Sequence, residues 1–217
     1  MKKYMTACLT LMLLAGILAG CTPNTTTEPS ASESKQATTN AAPPAIQSDS
    51  EALSTQGLQA YQHFEYDKAI ALYDKAIDAD HNNYKAYSGK GIAMAMRGNA
   101  TGNKADVSSG IAYIQKALSL YPDYVPTFYD LALACKINGQ YEIAIQYFQK
   151  VIDAEPDNTW SYYGIATIYG DKGQAKEAVS YLKKAIALDP QPVKEAARTQ
   201  SHFDKIRNNA NFQTLIQ

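Results

Sequence analysis

The chain has 217 residues, of which 46% are hydrophobic and 19% charged, and its 20 Lys and Arg nearly balance its 21 Asp and Glu. This length suits one or two globular domains, and the composition excludes collagen-like and wholly disordered chains. A formal net charge of -1 provides no basic field for phosphate, so nucleic-acid binding is not expected. Three Cys are too few for a disulfide scaffold.

The N-terminal segment has the layout of an export signal. Lys2 and Lys3 precede an apolar stretch, residues 5–19, that is shorter than the roughly 20 residues of a membrane span. The stretch ends in Leu18-Ala19-Gly20-Cys21, which resembles the bacterial lipobox. The resemblance implies that residues 1–20 are a cleaved signal peptide and that Cys21 becomes the acylated N-terminus. An ordinary secretory signal with a chance cysteine is the alternative.

Residues 21–50 follow as a predicted lipidated, flexible linker. Thr, Ser, Pro, Ala, Asn and Gln dominate it, and Ile46 is its only large apolar side chain, so it cannot form a core. A glycosylated stalk or a binding segment would have a similar composition. With acyl chains on Cys21, the linker would hold a domain off the cell membrane, facing outside the cytoplasm, or off an outer membrane if the organism has one.

The rest of the chain contains a sequence repeat. Small residues recur in similar apolar contexts at Gly57, Gly91, Ala132 and Ala166, with separations of 34, 41 and 34. Two further series, beginning at Ala69 and at Ala76, both have separations of 41, 34 and 34, so the period is 34. The seven extra residues of the second unit fall around residues 97–104, where the sequence predicts an enlarged turn followed by a helix with Asp106 as its N-cap.

Proline marks the ends of the later units, with Pro122, Pro156 and Pro190 each placed where a second helix would stop. This pattern resembles the tetratricopeptide repeat, in which small residues lie where two antiparallel helices touch. The resemblance implies an all-α, right-handed solenoid of four helix-turn-helix repeats over residues 51–192. The chain departs from the pattern at Gly110, where Ala is usual, and at His81, where Pro is usual.

The tail after the repeats is predicted to be a cap. Apolar residues recur at spacings of three and four from Phe203 to Ile216. A solenoid must cover its terminal apolar face, so residues 193–217 are interpreted as a C-terminal capping helical segment.

No motif for catalysis or metal binding is found. The three His are far apart, and no His or Cys has metal-ligand spacing, so neither a metal nor another cofactor is expected. Ser88-Gly89-Lys90-Gly91 lacks the other residues of a phosphate-binding loop, and its glycines are interpreted as helix contacts. Cys135 lies on the packed face of a predicted helix, which favours a buried, inert thiol over a reactive one.

The resemblance implies that protein or peptide segments bind on the concave surface, which the first helix of each unit lines. Ser54 with Leu58, and Ser88 with Ile92, occupy the places where chaperone-binding members have Lys and Asn, so a chain-terminal carboxylate is not the expected ligand. Three aromatic residues, Tyr129, Trp160 and Tyr163, are predicted to form one continuous surface for recognition. Carried over residue by residue, the groove consists of Tyr61, Ser88, Ile92, Tyr129, Leu133, Lys136, Trp160, Tyr163 and Thr167.

The function that follows is a membrane-anchored, non-catalytic adaptor or scaffold that binds envelope or secreted protein segments, with no small-molecule substrate. Two alternatives stay open. One is a pilotin-like or outer-membrane-assembly lipoprotein, and the other is the activating subunit of an envelope enzyme.

Overall fold

The computed structural model describes residues 42–217, so the predicted signal peptide, Cys21 and most of the predicted linker lie outside the described residues. Within this range the chain is all-helical, without a strand, and none of its helices is long and apolar enough to cross a membrane. The helices are α1 (Ser48–Gln62), α2 (Tyr66–Ala79), α3 (Tyr84–Thr101), α4 (Lys104–Leu120), α5 (Val125–Ile137), α6 (Tyr141–Ala154), α7 (Thr159–Asp171), α8 (Ala175–Leu188), α9 (Pro190–Thr199), a 3-10 helix (Ser201–Ile206) and α10 (Ala210–Ile216).

The helices pack in four consecutive pairs, α1 with α2, α3 with α4, α5 with α6 and α7 with α8, and each pair contacts the next. The small residues of the repeat lie at these contacts, and Ala69, Ala132, Ala144, Ala166 and Ala178 are fully buried. Small side chains allow two helix axes to approach closely. The expected helical-repeat solenoid with a C-terminal capping segment is therefore confirmed.

The first helix begins earlier than the predicted boundary at residue 51. Helix α1 starts at Ser48, and Ser50 is already fully buried, with its hydroxyl donating to the carbonyl of Ala76 at 2.7 Å. The backbone N–H of Gln47 donates to Asp80 Oδ2 at 3.0 Å. The start of α1 could not be predicted from the low-complexity composition, because Ser and Asp are common both in linkers and at helix N-termini.

The enlarged turn predicted in the second unit is wrong. The seven extra residues lengthen both helices instead, so that α3 has 18 residues and α4 has 17, whereas α5 to α8 have 13 or 14. Only Gly102 and Asn103 lie between α3 and α4, and Gly102 takes the left-handed conformation (φ 72°) that ends a helix. Gly and Asn favoured the turn prediction, but they are also tolerated in a helix whose face is buried.

The prediction that Asp106 caps α4 is also wrong. Asn103 is the N-cap, and its side chain accepts hydrogen bonds from the backbone N–H groups of Ala105 and Asp106. The Asp106 carboxylate instead accepts two hydrogen bonds from Arg97, at 2.7 Å from Nε and 2.9 Å from Nη2. This bidentate pair joins the extended ends of α3 and α4.

The long helix pair crosses at two glycines. A Cβ atom added to Gly91 would lie 2.5 Å from the carbonyl oxygen of Gly110, so neither position accommodates a larger residue without movement. Gly110, which departs from the usual Ala, is thus matched to Gly91 across the pair. Gly89, on the neighbouring face of α3, lies against the ring of Tyr73, in agreement with the interpretation of these glycines as helix contacts.

The C-terminal segment covers the last helix pair. Helix α9 contacts α8, the 3-10 helix contacts α7, and α10 contacts both α8 and α9. Phe203, Ile206, Phe212 and Ile216 are buried there, and the rings of Phe203 and Phe212 stack with centroids 5.2 Å apart. Pro190 is the first residue of α9, so the capping segment begins before the predicted residue 193.

Candidate functional site

A cavity of about 350 Å³ opens between α1, α3 and the start of α5, where the first helices of the first three units come together. Its walls combine aromatic, apolar and charged side chains. The lining residues are Glu51, Ser54, Thr55, Leu58, Tyr61, Tyr73, Lys85, Ser88, Gly89, Ile92, Tyr124, Pro126 and Asp130.

The carboxylate of Asp130 is the most perturbed group of this cavity. Ser88 Oγ donates a hydrogen bond of 2.7 Å to Asp130 Oδ2 and links α3 to α5. Burial raises the pKa of Asp130 to about 7, because removal from water disfavours the charged form, and the hydrogen bond from Ser88 offsets this only in part. The group therefore titrates near neutral pH.

Tyrosine side chains surround this carboxylate. Tyr61 on α1 and Tyr73 on α2 both have a pKa raised well above the ordinary value, first by burial and then by the negative charge of Asp130. The pKa of Tyr124 is raised by burial too, with the nearby Lys85 acting in the opposite direction. These phenols stay neutral at physiological pH and present aromatic, hydrogen-bonding walls.

An ion pair lies at one side of the cavity. Lys85 Nζ is 2.7 Å from Glu51 Oε1, and both side chains are partly exposed. The other carboxylate oxygen of Glu51, Oε2, is buried and has no hydrogen-bond partner among the described residues. The hydrogen bond that Lys85 donates to Glu51 raises the pKa of Lys85, and this ion pair holds α1 against α3.

The sequence-predicted groove residues of the first two units fall into this cavity. Tyr61, Ser88 and Ile92 all line it, and Ile92 is only 3% exposed. Tyr129 lies beside Asp130 in a neighbouring shallow depression, and its ring packs against Phe148 with centroids 5.6 Å apart. The structure therefore brings these four residues to one region of the surface.

The expected continuous aromatic surface does not extend into the fourth unit. Trp160 is 42% exposed, but Tyr163 is only 6% exposed, its ring packs on Phe203 of the capping segment, and its hydroxyl donates to Gln200 at 2.8 Å. Thr167 is 1% exposed and donates to the carbonyl of Gly164 at 2.7 Å. The cap thus covers Tyr163, since it folds back onto the first helix of the fourth unit, and Thr167 is buried as well.

Leu133 and Lys136 occupy the region between the cavity and the cap. Leu133 is half-buried against the central core. Lys136 Nζ lies 3.2 Å from Nε2 of His202, whose Nδ1 lies 2.9 Å from Asp171. Burial lowers the pKa of Lys136 to about 8, while the charge of Asp171 acts in the opposite direction. This polar chain fastens the cap to α5 and α7.

The remaining candidates for chemistry are accounted for by burial. Cys135 is 2% exposed, and burial raises the pKa of its thiol to about 11, so it is a packed, unreactive side chain as expected. The described part of the chain has no group of three or more His, Cys, Asp and Glu side chains arranged to hold a metal ion.

Sequence reasoning missed Asp130. It is the only acidic residue of α5, in the otherwise apolar run Phe128-Tyr129-Asp130-Leu131-Ala132. A single carboxylate in such a run is costly to bury without a partner. A single carboxylate among apolar residues could therefore have indicated a functional position in the sequence. Only the fold shows that the hydrogen-bond partner of Asp130 is Ser88, 42 residues away.

Family models and known proteins agree with the helical-repeat architecture. Two models described as tetratricopeptide repeat match residues 113–146 and 137–201. The uncharacterized protein MJ0572 of Methanocaldococcus jannaschii is 42% identical over 48 residues, which span 22% of this chain and 56% of that protein.

Solved structures of the same architecture include a crystal structure of MamA, which is 27% identical. The alignment covers 67% of this chain and 81% of that one, with a TM-score of 0.52. MamA from Desulfovibrio magneticus RS-1 is 18% identical; the alignment covers 79% of this chain and 96% of MamA, with a TM-score of 0.55. YrrB, described as a TPR protein with an unusual peptide-binding site, is 19% identical; the alignment covers 77% of this chain and 82% of YrrB, with a TM-score of 0.53. The likenesses below 25% identity establish the fold alone.

Proposed function

We propose that this protein is a membrane-anchored, non-catalytic adaptor that binds segments of envelope or secreted proteins on its concave surface. The observation that carries the proposal is the cavity between α1, α3 and α5, where Tyr61, Ser88 and Ile92 meet. A protein scaffold of stacked helix pairs with a cavity on its inner side is suited to hold an extended or helical segment.

The wall chemistry of the cavity supports binding rather than catalysis. Its tyrosines are neutral, and Leu58 is a large apolar side chain that is 48% exposed at the rim. Tyr rings with an apolar body and a polar hydroxyl are enriched in recognition surfaces. YrrB, with the same architecture, is described as having a peptide-binding site, and this lends support to a similar use of the fold.

The anchoring part of the proposal rests on Cys21 and the residues before it. Acyl chains on Cys21 would hold the protein at a membrane, and the low-complexity residues that follow would let the repeats reach partners in the envelope. Lipid anchoring and capture of protein segments together define an adaptor that collects partners at the membrane surface.

Site-specific photocrosslinking in living cells tests the binding face. A photoreactive phenylalanine analogue replaces Leu58 at the rim of the cavity, or Phe64 as the matched control. Phe64 is also an exposed hydrophobic residue, at 76%, but it lies in the turn after α1 and away from the cavity lining. We expect a discrete crosslinked protein from position 58 and none from position 64. Equal crosslinking from both positions, or from neither, would contradict the proposed binding face.

A further inference from the structure

The carboxylate of Asp130 has no positively charged partner among the residues that the structure describes. Its single hydrogen bond comes from the neutral Ser88 hydroxyl, at 2.7 Å. The eight ion pairs formed by the described residues all involve other acids. Asp130 is half-buried, and a carboxylate that is partly withdrawn from water and left unpaired is less stable than a solvated one, so a cation that entered the cavity would stabilise it.

The walls around Asp130 suit a cation with an aliphatic stem. Tyr61, Tyr73 and Tyr124 line the cavity, and aromatic rings attract an ammonium or guanidinium group, more strongly when the group is partly desolvated. Leu58 and Ile92 provide apolar surface in the same cavity. A volume of about 350 Å³ exceeds that of an ammonium ion and accommodates a long side chain as well.

The other charges of the cavity cancel each other. Lys85 is held by Glu51 at 2.7 Å, so the single cation that lines the cavity among the residues described by the structure is already paired. The charge that remains is that of Asp130. An incoming cation would therefore meet a net negative cavity, whereas an incoming carboxylate would be repelled, because the described lining residues offer it no unpaired cation.

We propose that this cavity binds the side chain of a Lys or Arg from a partner protein segment, with Asp130 as its counter-ion and the tyrosines around its stem. The inference rests on the proposed function and specifies the chemistry of the partner. It adds one charged anchor to the aromatic recognition expected from the sequence.

The inferred contact depends on pH. Burial raises the pKa of Asp130 to about 7, so the carboxylate loses its charge as the pH falls through neutrality, and affinity for a cation falls with it. A cation bound in the cavity would in turn lower this pKa. The titratable groups that face Asp130 or share its cavity are Tyr61, Tyr73, Tyr124, Tyr129, Glu51 and Lys85.

The test uses Nα-acetyl-lysine methylamide as the probe, titrated into the full chain carrying isotope-labelled tyrosine and followed by NMR. Nα-acetyl-norleucine methylamide is the neutral control, because it keeps the stem and lacks the ammonium group. We expect saturable shifts of the cavity tyrosine signals with the lysine probe and at least tenfold weaker binding of the norleucine probe. We also expect binding of the lysine probe to weaken between pH 8 and pH 6.

Paired variants assign the effect to the cavity. Asp130→Asn should weaken binding of the lysine probe at least tenfold and remove the pH dependence of that binding. Asp78→Asn, which removes the same charge from an exposed position on α2, should leave binding of the lysine probe unchanged. Far-UV circular dichroism verifies that both variants remain helical. Unchanged binding to Asp130→Asn, or equal binding of the two probes, would overturn the inference.

A third probe, n-pentylamine, distinguishes a free amine from a side chain in a protein segment. Pentylamine that bound more tightly than the lysine probe would overturn the assignment to a protein segment, because the cavity would then favour a free amine over a side chain carried by a backbone. Failure of the inference is also separable from failure of the proposed function. A partner that crosslinks at position 58 and binds equally well to Asp130→Asn would retain the binding face and discard the cationic anchor.

Discussion

Asn83 joins three helices through one buried side chain, and its replacement provides a sharp test of the packing. The residue is fully buried, and its Oδ1 caps α3 by accepting from the N–H of Ala86 at 2.9 Å. Its Nδ2 donates to Ser50 Oγ at 2.7 Å and to Ser54 Oγ at 2.9 Å, and Ser50 donates onward to Ala76 on α2. Asn83→Ala removes the three hydrogen bonds that the Asn83 side chain makes.

The expected cost follows from the bonds lost. Loss of an N-cap typically costs about 1 kcal/mol, and each of the two buried hydrogen bonds contributes about 1 kcal/mol net, so Asn83→Ala should lower the free energy of unfolding by about 3 kcal/mol. Asn103→Ala is the matched control. Asn103 also caps a helix, α4, but it is exposed and makes no other side-chain hydrogen bond, so its loss should cost about 1 kcal/mol.

Urea unfolding followed by circular dichroism at 222 nm measures both variants. With a slope of about 2 kcal/mol per M, the midpoint should fall by about 1.5 M for Asn83→Ala and by about 0.5 M for Asn103→Ala. A double-mutant cycle with Ser54→Ala should give a coupling of about 1 kcal/mol to Asn83. Equal losses for the two asparagines would refute the reasoning that the buried network, rather than capping alone, fixes α1 on α3.

Three further predictions concern the cap, the long helices and the anchor. Deletion of residues 201–217 should uncover Tyr163, lower the free energy of unfolding by about 3 kcal/mol or more and increase dye binding to the exposed apolar surface. An unchanged unfolding transition would contradict the capping role. Deletion of residues 98–104 restores the 34-residue period but removes the last turn of α3 and the cap of α4. We therefore expect the free energy of unfolding, measured in urea, to fall by at least about 2 kcal/mol. A free energy of unfolding within about 0.5 kcal/mol of the parent would show that the extra turns do not pack. Cys21→Ser should move the protein out of the membrane fraction or leave it unprocessed, and a processed protein that stays at the membrane would refute lipid anchoring.

The repeat could be derived from the sequence because its period depends on residue size at helix contacts. Small residues 34 apart placed α1 to α8, and the apolar spacing after Phe203 indicated the cap. The long α3 and α4 could not be derived in this way. Gly102 and Asn103 do form a turn, but the residues on either side have both turn and helix propensity. The contacts that favour the longer helices, such as the bidentate Arg97–Asp106 pair, are visible only in the structure.

The site was predictable in part for a similar reason. Position within a repeat placed Tyr61, Ser88 and Ile92 on the inner surface without knowledge of their partners. It could not show that the cap returns over Tyr163, because that contact depends on the path of the chain after the last repeat. Nor could it identify Asp130, whose environment is built from residues on α1, α2 and α3 that are distant in sequence.

The central claim is that the cavity between α1, α3 and α5 captures a protein segment. The most direct measurement is the affinity of the partner identified by crosslinking for two variants of the full chain, Leu58→Arg at the rim of the cavity and Leu188→Arg at the end of α8. Both leucines are exposed, at 48% and 42%, so the substitutions are matched in size, charge and exposure. We expect at least tenfold weaker binding for Leu58→Arg and less than a twofold change for Leu188→Arg. Equal affinities of the two variants would contradict the claim.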